Sequence, residues 1–422
     1  MPGGGAGRPL SRSPDRGSRI ARIPWIGARI EAASFRRRLG PPARGRPLIG
    51  VEQEFGVWHA ERQVDFRSVI HGLGLGRRHL DPDDPNAYRL PSGAVVTCDG
   101  AEAEIALAPA EIGPGFGRDV ARATAQEQAR LQERLPAGYE LRGYSTHISV
   151  EVPEALAVAV AKRYVTTFGP AMMLAMDGPD RPGLRVRPRH RRLELCGDFV
   201  AGRRLREALE LGAGSVAATL AEIERGLEQR PLPPPVEAAI RPAIERPGWF
   251  IDRVALGLGR NSEPDTLHLS DGGRTTVKRH VGLARASAKA ALAEWLTSAA
   301  SESAAGGTDV GGRPRGQRPF GDVLRTRRRP NLALAPVMVT WPLNVFIVAA
   351  TGSRRPAFAV VPREWLGAFL DEFDRGDLDS ILRGYAGARR LASRAGSWRD
   401  AREPGLYDDL PSRARLLPPE PM

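Results

Sequence analysis

The stretch LIGVEQEFGVW, residues 48–58, decides how this chain is read. Its apolar residues predict a strand, and Glu52 and Glu54 stand two apart within it. In a strand, residues i and i+2 share a face. The two carboxylates therefore sit side by side, flanked by apolar positions. A second pair, Glu102 and Glu104, lies in DGAEAEIALAP, residues 99–109. A lone His147 lies in YSTHISVEVP, residues 144–153, which also alternates like a strand. Four carboxylates and an imidazole on one sheet face repel one another and lose hydration unless cations sit between them. Hard divalent ions with oxygen ligands, Mg²⁺ or Mn²⁺, suit that arrangement.

Composition narrows the class. The chain has 422 residues and is 41% hydrophobic, enough for one large domain or two ordinary ones with a real core. Its formal charge of +13 invites a nucleic-acid reading. Only three of the 62 basic residues are Lys, however, and the rest are Arg spread along an Ala-, Gly- and Pro-rich sequence. No zinc-finger, ribonucleoprotein or basic-zipper pattern accompanies them, which speaks against a nucleic-acid partner. Steering of anionic substrates is compatible with the charge. The two cysteines, Cys98 and Cys196, make neither a disulfide framework nor a metal knuckle, and read as small buried hydrophobes. A cytoplasmic setting follows from that usage. The most apolar run, 332–350, is broken by Pro336, Pro342 and Asn344. It predicts two core strands and a turn rather than a membrane span.

Along the chain, residues 1–44 are basic, rich in Gly and Pro, and predicted to be disordered apart from a short helix within Ile20–Phe35. A catalytic domain is expected over 45–300. It comprises a hairpin turning at Pro91, Ser92 and Gly93, a helix over 118–135, a strand over 141–152 and a helix over 154–176. An Arg-rich loop is expected from Arg181 to Arg192, carrying Arg185, Arg187, Arg189 and Arg191 as well. Two helices follow, one with Val216, Leu220, Ile223 and Leu227 on its buried face. Residues 301–330 read as a flexible insertion or linker. Residues 331–422 read as a C-terminal part packing on the catalytic domain, with a helix after Pro362 burying Trp365, Phe369, Leu370 and Phe373. The irregular alternation of elements predicts an α+β fold around an antiparallel sheet. No Gly-rich phosphate loop stands in a position to hold a nucleotide.

In their order and spacing, these segments resemble the carboxylate-amine ligases related to glutamate–cysteine ligase, within the glutamine-synthetase-like superfamily. GVEQEF (50–55) resembles the family's opening strand and AEAEIALAP (101–109) its second acidic strand. STHISV (145–150) is similar to its His-containing strand, and RLEL (192–195) to the strand supplying a final Glu. The resemblance covers residues 48–200. It implies a curved antiparallel sheet, flanked by helices, whose concave face holds Mg²⁺ (or Mn²⁺) and ATP. It also implies an ATP-dependent ligase forming carbon–nitrogen bonds, joining small amino-acid-like carboxylates and amines through an acyl phosphate. The bond would be an amide, of γ-glutamyl or peptide-like type.

Carried over residue by residue, Glu52, Glu54, Glu102, Glu104, His147 and Glu194 are the implied metal ligands. His147 would also touch the nucleotide. Arg191 or Arg192 would bind phosphate, with Arg192 the implied catalytic arginine, because Cys196 stands where the family carries Arg in Glu-x-Arg. Gly50–Gly56 also fits the Gly-x-Glu-x-Glu-aromatic-Gly opening of the ligases and deamidases acting on prokaryotic ubiquitin-like protein. Their His-Pro-Glu-Tyr pattern is absent here, and Ser92-Gly93 to Asp99 matches their turn and Asp-ending strand only loosely. A third alternative is a non-catalytic basic binding protein on the same fold. No membrane partner is implied, and the sequence is compatible with a homo-oligomer without fixing one.

Overall fold

The computed structural model describes residues 29–31, 46–75, 77–78, 87–90, 92–176, 183–225, 232–236, 240–242, 248–254, 256, 266–305, 326–339, 343–351, 357–362, 365–380 and 382–383. The fold is α+β and is dominated by a twelve-stranded sheet in which every described pairing is antiparallel. Its central strands are β1 (Leu48–His59), β2 (Val95–Asp99), β3 (Glu102–Ala106), β4 (Tyr139–Glu151), β5 (Gly183–Arg189), β6 (Arg192–Asp198) and β7 (Trp249–Asp252). They run in the order β7-β5-β6-β4-β1-β3-β2, with short strands beyond each end.

Strand parity sorts the side chains. Ile49 and Val51 of β1, Ile148 and Val150 of β4, Leu193 and Leu195 of β6, and Leu184 and Val186 of β5 form one apolar face. Five helices supply the other side of that core: α1 (Phe116–Arg134), α2 (Ala157–Thr167), α3 (Gly169–Met176), α4 (Gly202–Arg225) and α5 (Val277–Ala305). The same face continues through Phe55, Val57, Ala103, Ile105 and Val96, which pack on Phe66, Ile70 and Leu131. The acidic residues fall on the opposite face by the same alternation.

Two buried polar side chains pin the end of the sheet to the helices. Gln53 lies between the two glutamates of β1 and points toward the core, where its Nε2 donates to Val200 O at 2.7 Å. Thr146 Oγ1 accepts from Val200 N at 3.0 Å. These bonds fix the chain as it leaves β6 for α4.

α4 and α5 approach closely because α4 is small-residue-rich at the contact. A Cβ on Gly214 would lie 2.2 Å from Ala288 O. Gly214→Ala must therefore push the helices apart, and it is expected to lower stability by about 1–3 kcal/mol, read from the urea midpoint. An unchanged midpoint would contradict this helix contact.

A second, five-stranded sheet contains β8 (Leu332–Val339), β9 (Leu343–Ala350) and β10 (Ala357–Pro362). Helix α6 (Leu366–Arg375) covers it, burying Phe369, Leu370 and Phe373 beside Trp365 against Leu334, Phe346 and Val361. The two strands expected over 332–350 are present as the β8–β9 pair, and residues 340–342 between them lie outside the described residues.

Several expectations need correction. Arg181–Arg192 is not a loop throughout: residues 183–189 form β5, because apolar Leu184 and Val186 alternate with arginines and pair with β6 and β7. Pro188, lacking an N–H, lies past the described stretch that pairs with β7. Within the helix expected around Ile20–Phe35, residues 29–31 instead form a strand parallel to β10. The rest of that segment, with residues 1–28 and 32–45, lies outside the described residues. The helix expected over 154–176 is split into a short 3₁₀ turn, α2 and α3. At the ends of the 301–330 stretch, α5 runs to Ala305 and Arg327–Arg329 is a strand, while 306–325 lie outside the described residues. Among the described residues, no helix is long and apolar enough to cross a membrane.

His280, at the start of α5, is fully buried. Its Nε2–H donates to Pro234 O at 3.2 Å, and its Nδ1 has no hydrogen-bond partner. Burial, only partly offset by that bond, lowers its pKa below the usual 6.5. A histidine of this kind contributes its stability above the unfolded pKa and loses it as pH falls toward the folded one. Stability should therefore fall on acidification through pH 6.5, and His280→Leu should flatten that part of the profile. An unchanged slope in the variant, by urea unfolding, would contradict this.

Candidate functional site

The polar face is assembled by register. Glu52 of β1 stands opposite His147 of β4, and His147 opposite Cys196 of β6. One row along, Glu54 lies opposite Ser145 on one side and Glu104 on the other, with Thr97 beyond. In the other direction, Glu194 sits between Ser149 and Arg187. β4 carries an extra residue, Tyr144, between Ser145 and Gly143, where the β1–β4 register shifts. Such a bulge bends and twists the strand and re-aims its side chains.

The Glu54–Glu104 pairing is the most demanding feature. Like charges directly opposite across antiparallel strands destabilise the pair. Here both are buried, at 7% and 4% exposure. Asp99, at the end of β2, brings a third carboxylate, and ligand oxygens of all three lie within 4.8 Å of one another. Burial raises the Glu54 pKa above the ordinary carboxylate value, and Asp99 adds to that. His147 and Ser145, whose hydroxyl donates to Glu54 Oε2 at 2.7 Å, pull the other way.

A second cluster adjoins it. Ligand atoms of His147, Glu194 and Cys196 also lie within 4.8 Å of one another. Glu194 is fully buried. Its Oε2 stands 2.7 Å from Arg187 Nε and 3.2 Å from Arg189 Nε, yet among the described residues neither of its oxygens has an aligned hydrogen-bond donor. Ser149 Oγ beside it has none either. The imidazole of His147 has Glu52 Oε2 3.6 Å from Nδ1 and Glu54 Oε1 3.6 Å from Nε2. Burial disfavours its charged form, but the bond to Glu52 and the charges of Glu54 and Glu194 outweigh burial and raise its pKa. The Cys196 thiol is pushed up by burial and by Glu194, against the opposing pull of Arg187. Arg187 is itself 3% exposed, and Glu194 and Cys196 keep it charged against the cost of burial.

The structure thus brings together Glu52, Glu54, Glu104, His147 and Glu194. Glu102 stands opposite Asp99 but belongs to neither group: its Oε1 accepts from Gln63 Nε2 at 3.1 Å and its Oε2 from Ala101 N at 3.1 Å, holding the β2–β3 turn. Arg191 occupies the tight β5–β6 turn at φ 55° and reaches Glu151 Oε1 at 3.2 Å. Arg192 begins β6, on the same face as Glu194. Sequence reasoning missed Asp99, Cys196 and Arg187 as site residues. Each is signalled by parity: Asp99 with Thr97, Cys196 with Glu194, Arg187 with the alternation of β5.

The residues fit divalent cations. The Glu54–Asp99–Glu104 set is all oxygen, and Glu194 presents a buried carboxylate without an aligned hydrogen-bond donor among the described residues. Because the metal-free clusters repel, Glu104→Gln is expected to match or exceed the wild-type stability without metal. Wild type should gain about 2.7 kcal/mol at a hundredfold excess of Mg²⁺ or Mn²⁺ over its Kd, whereas Glu104→Gln should lose most of that gain. Equal responses of the two proteins, measured by thermal unfolding, would show that this cluster holds no cation.

No protein-family profile matches the chain, and no curated protein matches it. Among the solved structures that match is the crystal structure of the complex between prokaryotic ubiquitin-like protein Pup and its ligase PafA. It aligns with a TM-score of 0.32 at 14% identity, over 62% of this chain. The aligned region spans 66% of that chain, just under two thirds of its length.

Proposed function

We propose that this chain is an ATP- and Mg²⁺-dependent ligase that forms an amide between a carboxylate and an amine. The observation that carries this reading is the buried Glu54–Glu104 cross-strand pair, joined by Asp99 into an all-oxygen cluster. The motif resemblance over residues 48–200 supports it. Bound Mg²⁺ and ATP would supply the phosphoryl group that makes a carboxylate electrophilic, together with neutralisation of the charge on the transferring group.

The chain's own residues do the holding and orienting. Glu54 and Glu104 hold one cation, while Glu194 and His147 offer donors to a second, with Glu52 beside the imidazole. Arg187 locks Glu194 in place through the 2.7 Å contact. Arg189 and Arg192 lie further out along the same rim, and planar guanidinium groups grip phosphate oxygens in pairs. Asp99, the most exposed of its cluster, adds a third oxygen donor to that first cation. Charge placement and positioning carry the reaction, so no covalent nucleophile is required.

The placement of Asp99 also favours a second reading, in which the chain resembles the ligases and deamidases of prokaryotic ubiquitin-like protein. There the matching strand ends in Asp, and the amine or amide belongs to a protein rather than to a free amino acid.

Purified protein given ATP, Mg²⁺ and pooled amino acids should release phosphate, and Glu54→Gln should slow release by about 10²–10³-fold. Release that requires a protein acceptor would favour the second reading. Absence of Mg²⁺-dependent nucleotide binding by calorimetry would end both.

A further inference from the structure

The two clusters on this face differ in donor chemistry. Glu54, Asp99 and Glu104 offer oxygen alone. His147, Glu194 and Cys196 offer one imidazole nitrogen, one carboxylate oxygen and one sulfur, all within 4.8 Å of one another. Hard Mg²⁺ demands near-octahedral oxygen ligation and retains water, whereas thiolate and imidazole donors suit Zn²⁺ and its neighbours. Three protein donors of mixed type leave one tetrahedral position open.

We propose that His147, Glu194 and Cys196 form a separate site for a borderline divalent ion of the Zn²⁺ class, distinct in selectivity from the neighbouring all-oxygen site. Beyond the proximity of the three donors, two observations point there. Glu194 is fully buried, and among the described residues neither of its oxygens has an aligned hydrogen-bond donor. Arg187 and Arg189 approach Oε2 at 2.7 Å and 3.2 Å as charges rather than as aligned hydrogen-bond donors, so the carboxylate keeps acceptor capacity for a cation. Glu52 Oε2, 3.6 Å from His147 Nδ1, adds the outer carboxylate that commonly orients a metal-binding imidazole. Cys98 is not part of the site, because it packs with Phe55, Val57 and Val96 on the core side of the sheet. An ion here would tie β4 to β6 beside the Mg²⁺ cluster. The inference rests on the metal-holding part of the proposed function and is independent of its ligase chemistry.

The test is a Co²⁺ titration of the chelator-stripped full chain in excess Mg²⁺, which saturates the oxygen site. One equivalent of Co²⁺ should produce a sulfur-to-cobalt charge-transfer band, and Zn²⁺ should abolish it by displacement. The band should vanish in Cys196→Ser and persist in Cys98→Ser and Glu104→Gln. Glu52→Gln should weaken Co²⁺ binding by about 10–100-fold. A wild-type protein with no band overturns the inference without recourse to any variant. So does a band that survives Cys196→Ser, or one that is lost with Glu104→Gln. If the band appears but no Mg²⁺-dependent nucleotide binding is found, the ligase reading falls and this site stands. The opposite pair of results leaves the ligase reading and removes the site.

Discussion

Buried like charge is the constraint on which the rest of this structure depends. Glu54 and Glu104 face each other across an antiparallel pair at 7% and 4% exposure, with Asp99 alongside. Two strands from β1, a fully buried Glu194 lies among His147, Cys196 and Arg187. No folded chain gains stability from desolvating several carboxylates together. A sheet that places them so needs compensation, and within the chain it comes only in part from Arg187, Arg189 and His147. The Glu194 carboxylate, without an aligned hydrogen-bond donor among the described residues, marks where the compensation stops.

The scaffold is suited to holding such a face. Long strands β1 and β4 pair along their whole overlap, and five helices bury the opposite face. Gln53 and Thr146 anchor the end of β6 from the core side, at the same levels of the sheet as the acidic residues. Positions on well-packed strands keep carboxylates in place where loops would let them separate, which is what preorganised charge requires.

Much of this was legible from the sequence because the strand period is simple. The Glu-x-Glu pairs of β1 and β3 and the isolated His147 could be placed on one face by counting in twos. The final apolar run and the helix after Pro362 were legible for the same reason. What counting could not supply was register. Asp99 joins Glu54 because the two-residue turn at Gly100 and Ala101 sets Asp99 opposite Glu102 and Thr97 opposite Glu104, a fact of pairing. Arg187 was hidden by composition: a run of arginines with a proline reads as a loop unless the alternating Leu184 and Val186 are given weight. Cys196 was read as a small hydrophobe although its parity with Glu194 assigns it to the polar face. Residues 29–31 form a strand only because β10 offers an edge, a tertiary effect that local propensity cannot anticipate.

The central claim is that this face of the sheet is a cation site. Crystals grown with Mn²⁺ and ADP test it most directly through anomalous scattering. The account predicts a peak within coordination distance of carboxylate oxygens of Glu54, Asp99 and Glu104. A well-ordered face with no peak there, or with its manganese bound elsewhere on the molecule, would contradict it.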